Sequence, residues 1–357
     1  MLIAAALWAI APVQEAAPRI VTVRTRGLLF TDNQAGVSGV DAGYSIPVGQ
    51  RVLWLFGDVF LQHPTDPDRR WVGGHSNAAL VTPRGRGLEP LRRGRFVTDP
   101  ATGIAVQVIP NRPGEGVETR LWPLAGWHDA ANRRIYLFWS RIRTTGSGPL
   151  DFRLEGNGLA QADAGDLDRV RFERLPSPEG GDVWWPPDGP VMGAALAEDR
   201  RAGWLWVIGE RQRAGRKEAV IARVRPDRIA DRSAYEYYAG PPEAPRWSSS
   251  PADAAPIEGL GDFSEASLSW NAYLGGWLVT HSVGIEERVR LSLAAAPWGP
   301  YRPIGEIGAR HQAFARAFSY AGKEHPHMAE QGGRVVYVTF VDSNRYWLHL
   351  LEVTLAR

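Results

Sequence analysis

The chain has 357 residues, a formal net charge of +2 and no cysteine, which excludes disulfides, thiolate catalysis and zinc sites with cysteine ligands. Its 15 tryptophans, 39 glycines and 27 prolines are typical of many short strands joined by turns, and the length allows one large β domain. Acidic residues are interleaved with the arginines and no long basic run occurs, so nucleic-acid binding is not expected.

Residues 1–18 form an apolar segment rich in small residues, like the core of a secretory signal. The segment lacks a basic n-region, and Pro12 follows its Ala-Ile-Ala, so an ordinary apolar N-terminal extension is the alternative. We expect a secreted or periplasmic protein whose residues 19–357 form a single domain. No other segment approaches the roughly 18 apolar residues that span a membrane, and no membrane span is expected.

Residues 40–60 predict a β-hairpin that carries one aspartate near the open end of each strand. An alternating segment leads to a turn at Gly49, and a nearly continuous apolar run from Val52 to Phe56 follows, as in a buried strand. This hairpin brings Asp41 and Asp58 close together, and two carboxylates in one pocket can perform acid and base chemistry. Turn chemistry is the alternative, since Asp beside Gly often accepts nearby backbone hydrogen bonds.

The apolar and aromatic strand of this hairpin recurs along the chain. Each copy follows a candidate partner strand and precedes a third candidate strand, and the five copies begin at Val52, Arg134, Gly203, Gly275 and Arg334. Five strands of one type in a constant order predict a repeat fold. A β-sandwich is the rival, but it does not explain the constant order.

The last repeat lacks a fourth strand, which the first four units have at residues 94–98, 170–175, 235–238 and 301–307. Residues 20–26, IVTVRTR, form a strand pattern without a unit of their own and can complete the fifth sheet beside the C-terminal strand. Closure by both termini is how a propeller avoids exposed edges. We therefore predict an all-β fold, a five-bladed β-propeller, with residues 247–260 as a loop and not a sixth blade.

In a propeller the innermost strands converge on a central channel, so residues that begin these strands meet at one mouth. Acids and aromatic rings together are typical of a carbohydrate site, because ring faces stack on sugar C–H faces while carboxylates transfer protons or attack. Asp41, Asp58 and Glu265 are the catalytic candidates. The candidates for substrate binding are Tyr44, Trp122, Trp127, Trp184, Trp185, Asp188, Glu324, His325 and His327.

Ordinary structural roles compete with several of these assignments. The four tryptophans can pack between blades, since large aromatic side chains dominate buried area. Asp188 precedes Gly189 in a strong turn signal. His325 and His327 alternate on a predicted strand and would point the same way, which suits a metal ion or a substrate hydroxyl. Because no third ligand is nearby in sequence, we predict no metal and no cofactor.

Several segments resemble a bacterial family of five-bladed propellers, long described as a domain of unknown function, in which some members are endo-D-arabinanases. These segments include VDAGYSIP, LWLFGDVF, HSNAALV, RLWPLAGW and SLSWNAYLGGWLVTHS, and the resemblance extends from residue 19 to the C-terminus. It implies that the paired aspartates of the first blade, here Asp41 and Asp58, are catalytic. That family's Gly-Asp is usually followed by Thr, where this chain has Val59.

The sequence thus supports a glycoside hydrolase that acts on a furanosidic, arabinan-like or related polysaccharide. One aspartate would be the general acid and the other the base or nucleophile, with Glu265 assisting or replacing one of them. A non-catalytic glycan-binding propeller is the alternative. A metal-dependent lactonase or phosphoesterase is a third hypothesis, which requires an ion held by Glu324, His325, His327 or the aspartates. The expected partner is an oligosaccharide or polysaccharide, and the expected state is a monomer.

Overall fold

The computed structural model describes residues 17–62, 73–85, 87–148, 150–284, 288–308 and 318–357. Within these residues, five antiparallel sheets follow one another along the chain. The innermost strand of each sheet packs against that of the next sheet, and the last sheet packs against the first. The prediction of an all-β, five-bladed propeller is therefore confirmed. Of the predicted signal segment, residues 1–16 lie outside the described part of the chain.

Each of the first three blades runs from an innermost strand at the channel to an outermost strand at the rim. Blade one contains β2 (Val37–Val48), β3 (Arg51–Leu61), β5 (Ala78–Pro83) and β6 (Arg95–Phe96), and β4 (Gly73–His75) pairs with β3. Blade two contains β7 (Thr119–Asp129), β8 (Arg134–Thr144), β9 (Phe152–Asp163) and β10 (Glu173–Arg174). Blade three contains β11 (Val191–Asp199), β12 (Trp204–Arg213), β13 (Arg216–Val224), β14 (Glu236–Tyr238) and β15 (Trp247–Ser248).

The remaining two blades, in the same strand order, complete the ring. Blade four contains β16 (Ala266–Asn271), β17 (Gly276–Ser282), β18 (Arg288–Ala294) and β19 (Arg302–Gly308), and blade five contains β20 (Ser319–Glu324), β21 (Val335–Asp342), β22 (Leu348–Ala356) and β1 (Arg19–Leu28). A short helix, α1, spans Glu89–Arg92. Short 3₁₀ turns cover Leu167–Arg169, Pro226–Arg228, Arg232–Ala234, Pro251–Asp253, Pro326–Met328 and Gln331–Gly333.

The ring closes as predicted, because β1 pairs antiparallel with β22 over its whole length, from Arg19 opposite Ala356 to Leu28 opposite His349. Strands from the two ends of the chain thus share blade five, which gives that sheet the fourth strand its own repeat lacks. None of the described residues forms a helix long and apolar enough to cross a membrane.

The recurring apolar run is the second strand of every blade, and it is apolar because both of its faces are covered by neighbouring blades. Residues Val52 to Phe56 illustrate this, since all of them are buried. Their side chains divide between two clusters, one shared with blade five and one shared with blade two. Packing between blades therefore fixes the rotation of each sheet, and with it the side chains that face the channel.

Two strand predictions need correction. The innermost strand of blade three begins at Val191, so Trp184 and Trp185 lie in the preceding segment instead of at the start of this strand. The innermost strand of blade five ends at Glu324, and His325 leads into a 3₁₀ turn at Pro326. Proline cannot donate a ladder hydrogen bond, which is the reason that the strand stops there.

Candidate active site

Asp41 lies in a distorted part of β2, and only 9% of its surface is exposed. The pairing register between β2 and β3 slips on both sides of Ala42, whose φ of 62° is left-handed. Such bulges re-aim side chains, and this one positions the Asp41 carboxyl beside Gly57 of β3. A Cβ at Gly57 would lie 2.3 Å from Asp41 Oδ1, so the absent side chain provides the space for the carboxyl group.

Two tyrosines from blade five hold the other oxygen of this carboxyl group. The hydroxyl groups of Tyr320 and Tyr346 donate to Asp41 Oδ2 over 2.9 Å and 2.8 Å. Tyr346 follows β21 in a tight turn with a left-handed φ of 55°, and its carbonyl accepts a 2.7 Å bond from Val40 N–H. Its ring packs on Phe60 at 4.5 Å. Both the backbone and the side chain of Tyr346 are thus fixed against blade one.

The surroundings of Asp41 favour its protonated form. Burial, followed by the negative charges of Asp58 and Glu265, raises the pKa of Asp41 to about 8, and the two tyrosine hydroxyls oppose this rise. The carboxyl group consequently carries a proton at neutral pH. A buried carboxylic acid with a fixed orientation is suited to general acid catalysis.

Asp58 lies on β3 beside Asp41 and has a different environment. Its Oδ1 accepts a 3.0 Å hydrogen bond from Trp122 Nε1 and lies 3.4 Å from Arg120 Nε. Burial raises the pKa of Asp58 above its ordinary value, and the Arg120 charge and the Trp122 N–H limit this rise. A positive neighbour thus favours the ionised form of Asp58, whereas the charges that act on Asp41 are negative, so Asp41 is the stronger candidate for the protonated acid of the pair.

Glu265 directly precedes β16 of blade four, at the same mouth of the channel. Its negative charge acts on three groups at the channel, because it raises the pKa values of Asp41, Tyr44 and Lys323. The structure therefore brings Glu265 near the aspartate pair, as the propeller geometry predicts. Its catalytic role stays a prediction.

Lys323 is a site residue that the sequence analysis missed. The side chain is buried on β20, and its Nζ donates to the carbonyl groups of Ala42 at 2.7 Å and Ala321 at 2.8 Å. Both alanines have left-handed φ values, 62° and 59°, and both lie where the strand register slips. One ammonium group thus holds two bulges, which carry Asp41 and its partner Tyr320. Burial lowers the pKa of Lys323, while Glu265 and Asp41 raise it.

Tyr44 packs against Lys323. Its ring is buried beneath the Lys323 ammonium group, which lies 4.4 Å from the ring centroid, and its hydroxyl donates to Ala194 O at 3.3 Å. Burial, then the charges of Glu265 and Glu210, raises the pKa of Tyr44 well above its ordinary value. The Tyr44 ring therefore packs against the Lys323 ammonium group, and the Tyr44 hydroxyl is bonded to blade three.

The other predicted aromatic residues lie apart from the aspartates. Trp184 and Trp185 are buried in the core, where their N–H groups donate to Pro176 O at 3.1 Å and to the Tyr237 hydroxyl oxygen at 2.7 Å. Their ring faces are not available to a sugar. Trp127 lies towards the opposite end of β7 from Trp122 and stacks on Tyr136 at 6.2 Å. Asp188 is exposed in a turn before β11, where Gly189 N–H bonds Pro186 O.

Glu324, His325 and His327 do not converge. Glu324 is buried against blade four, where Ser269 Oγ donates to it at 2.7 Å, and burial raises the pKa of Glu324 to about 7. The two histidines turn towards blade one instead: Ser45 Oγ lies 2.8 Å from His325 Nδ1 and 3.5 Å from His327 Nδ1. Burial lowers the pKa values of both histidines. Among the described residues, no group of three or more His, Asp or Glu side chains could hold a metal ion.

A family model for a domain of unknown function, DUF4185, matches residues 28–352. The chain belongs to the DUF4185 family. A search of curated proteins found no match to this DUF4185 chain. Its residues 28–352 include all three acids of the site and both tyrosines that bind Asp41.

Solved structures similar to this DUF4185 domain include propeller glycoside hydrolases. An α-L-arabinofuranosidase from Podospora anserina, solved with cellotriose, is 9% identical with a TM-score of 0.50, over 93% of this chain and 95% of that one. A GH43_1 enzyme from Xanthomonas citri is 12% identical with a TM-score of 0.50, over 92% of this chain and 90% of that one. At such low identity these likenesses show a shared fold, that of glycoside hydrolase-like propellers, and no more.

Proposed function

We propose that this protein is a glycoside hydrolase that cleaves a furanosidic, arabinan-like or related polysaccharide with Asp41 as general acid and Asp58 as its ionised partner. The observation that carries the proposal is the contrast between two neighbouring carboxyl groups. Burial and two negative neighbours raise the pKa of Asp41 to about 8, whereas Arg120 and Trp122 limit the rise that burial causes in the pKa of Asp58. Glycoside hydrolysis requires such a pair.

In the proposed reaction, Asp41 donates its proton to the glycosidic oxygen as the bond to the anomeric carbon breaks. Asp58 then either attacks the anomeric carbon itself or takes a proton from the attacking water. Tyr320 and Tyr346 hold Asp41 Oδ2, so the proton resides on Oδ1, the oxygen above Gly57. Glu265 contributes negative charge that keeps the acid protonated until it is used.

The substrate class rests on the family resemblance and on the aromatic ring beside Asp58. Trp122 is half-buried, and its N–H is directed at the carboxylate, so a sugar held there would contact both the indole and the acid. A secreted or periplasmic location is part of the same proposal, since polysaccharides of this kind lie outside the cytoplasm. N-terminal sequencing of the protein recovered from the periplasm and medium would test the location.

The function is tested by incubating the purified protein with plant arabinan, mycobacterial arabinogalactan and synthetic furanosides, with chromatographic detection of products. We expect oligosaccharides to appear from at least one polymer. NMR of the first product would then give the anomeric configuration, which separates a nucleophilic Asp58 from a basic one. Saturable binding without any product would instead favour a glycan-binding propeller.

A further inference from the structure

Half of the large exposed apolar side chains in the described part of the chain lie beside the candidate site. Six large apolar residues of the described chain are exposed, and three of them lie at one corner of blade two: Val117 at 92%, Leu150 at 56% and Phe152 at 39%. Phe152 begins β9 opposite Thr144, and Thr144 N–H bonds Glu118 O, next to Val117. The three residues therefore share the end of the blade at which β7 begins.

This corner is continuous with the aspartates. The Phe152 ring lies 5.0 Å from the Trp122 ring, edge to face, and Trp122 Nε1 bonds Asp58 Oδ1 at 3.0 Å. Trp122, Phe152, Leu150 and Val117 thus lie at one corner of blade two, with Trp122 beside the acid. We call these four residues the blade-two track.

Charged side chains flank the track. Arg143 lies on β8, opposite Thr119 of β7. Its guanidinium group donates to Glu155 at 2.6 Å and to the exposed Glu118 at 3.2 Å. Arg120 lies at the inner end, beside Asp58. Sugars present apolar C–H faces and polar hydroxyl edges, so an aromatic path with charged borders matches both parts of a sugar chain.

We propose that the blade-two track is a binding site for an extended glycan chain, in which Phe152 stacks on a sugar at least one residue away from the bond beside Asp58. This inference rests on the proposed function and makes it more specific. The substrate is then a chain of several sugars, and chain length contributes to affinity.

The test compares wild type with Phe152→Ala, Leu150→Ser and the control Trp270→Ala. Trp270 is exposed to a similar degree, 47%, but it lies towards the far end of β16 from Glu265. Retardation in gels that contain plant arabinan or mycobacterial arabinogalactan measures binding without requiring catalysis. We expect Phe152→Ala to weaken retardation by the bound polymer about 3- to 10-fold, as the loss of one aromatic contact implies. Phe152→Tyr and Trp270→Ala should match wild type.

Three results would overturn the track: equal retardation of wild type, Phe152→Ala and Leu150→Ser; an equal loss in Trp270→Ala; or no retardation of wild type by either polymer. Melting temperatures show whether each variant is folded. If Phe152→Ala is not folded, the retardation of Leu150→Ser tests the track. If wild type is retarded but releases no product, and Phe152→Ala is retarded less, the track stands and the proposed hydrolysis fails.

Discussion

Replacement of Gly57 by Ala tests whether the exact position of the Asp41 carboxyl group matters. The new Cβ would lie 2.3 Å from Asp41 Oδ1, and Cβ atoms essentially never approach other atoms within 3.0 Å, so the carboxyl group must retreat by about 0.7 Å. A shift of this size would disturb the geometry of its bonds to Tyr320 and Tyr346, now 2.9 Å and 2.8 Å, and so weaken them.

The expected consequence is loss of activity with little loss of stability. A misplacement near 1 Å costs about 100-fold in rate, so kcat of Gly57→Ala should fall by roughly that factor. Alanine in a strand is more favourable than glycine by about 0.5 to 1 kcal/mol, which offsets part of the cost of weakening two hydrogen bonds worth about 0.5 to 1.5 kcal/mol each. The melting temperature should therefore change by only a few degrees.

The assay measures kcat on the cleaved polymer together with the melting temperature. Gly308→Ala is the matched control, because a Cβ at Gly308 meets no heavy atom of the described residues within 4 Å and that glycine also lies in a strand. Its kcat should equal that of wild type. An unchanged kcat in Gly57→Ala would refute the argument that this carboxyl group is held in a productive position.

Three further predictions concern the groups around Asp41. Tyr346→Phe removes a donor that lowers the pKa of Asp41, so the alkaline limb of the pH–rate profile should move to higher pH. An unmoved limb would show that the titration of Asp41 does not cause that limb. Lys323→Met leaves the carbonyls of Ala42 and Ala321 without their donor and should lower the free energy of unfolding by about 1 to 3 kcal/mol, measured with urea; wild-type stability would contradict the bridging role. The folded protein keeps a proton on Asp41 that the unfolded chain releases above pH about 4, so between about pH 4 and pH 8 the free energy of unfolding of wild type should fall relative to Asp41→Asn; a parallel pH dependence in both proteins would contradict the raised pKa.

The fold could be predicted from the sequence because each blade repeats the same order of strand types. The apolar second strands are long and buried on both faces, so runs such as Val52 to Phe56 stand out without an alignment. The unpaired strand pattern near the N-terminus and the missing last strand identified the closure between β1 and β22. Short outer strands such as Arg95–Phe96 were located only approximately, since two residues carry almost no periodicity.

The candidate site could be predicted only in part from the sequence. Asp41 and Asp58 were predicted as neighbours because a hairpin fixes their separation. Trp122 was predicted near them because the ring of blades brings the innermost strands together. Tyr346 was not found, because its role depends on a turn between the last two strands that returns to Asp41. Lys323 offered one signal: it and Lys217 are the only lysines among many arginines. A compact ammonium group can bond two facing carbonyls, which explains why lysine stands there.

The wrongly placed aromatic residues have a common physical cause. Trp184 and Trp185 were assigned to the channel from their position before a strand, but their large apolar surface is buried between blades two and three. Similarly, His325 and His327 point the same way, as expected, yet they pack against Trp54 of blade one with ring centroids 4.6 Å and 5.9 Å away. Burial decides between packing and binding, and sequence spacing alone does not reveal it.

The most direct test of the central claim measures product release by Asp41→Asn and Asp58→Asn from the polymer that wild type cleaves, with gel retardation as the control for binding. Loss of an acid or base typically costs about 10² to 10⁴-fold, so we expect each variant to lose at least about 100-fold in rate while binding the polymer as wild type does. If both variants keep full activity, the two aspartates are not the catalytic pair.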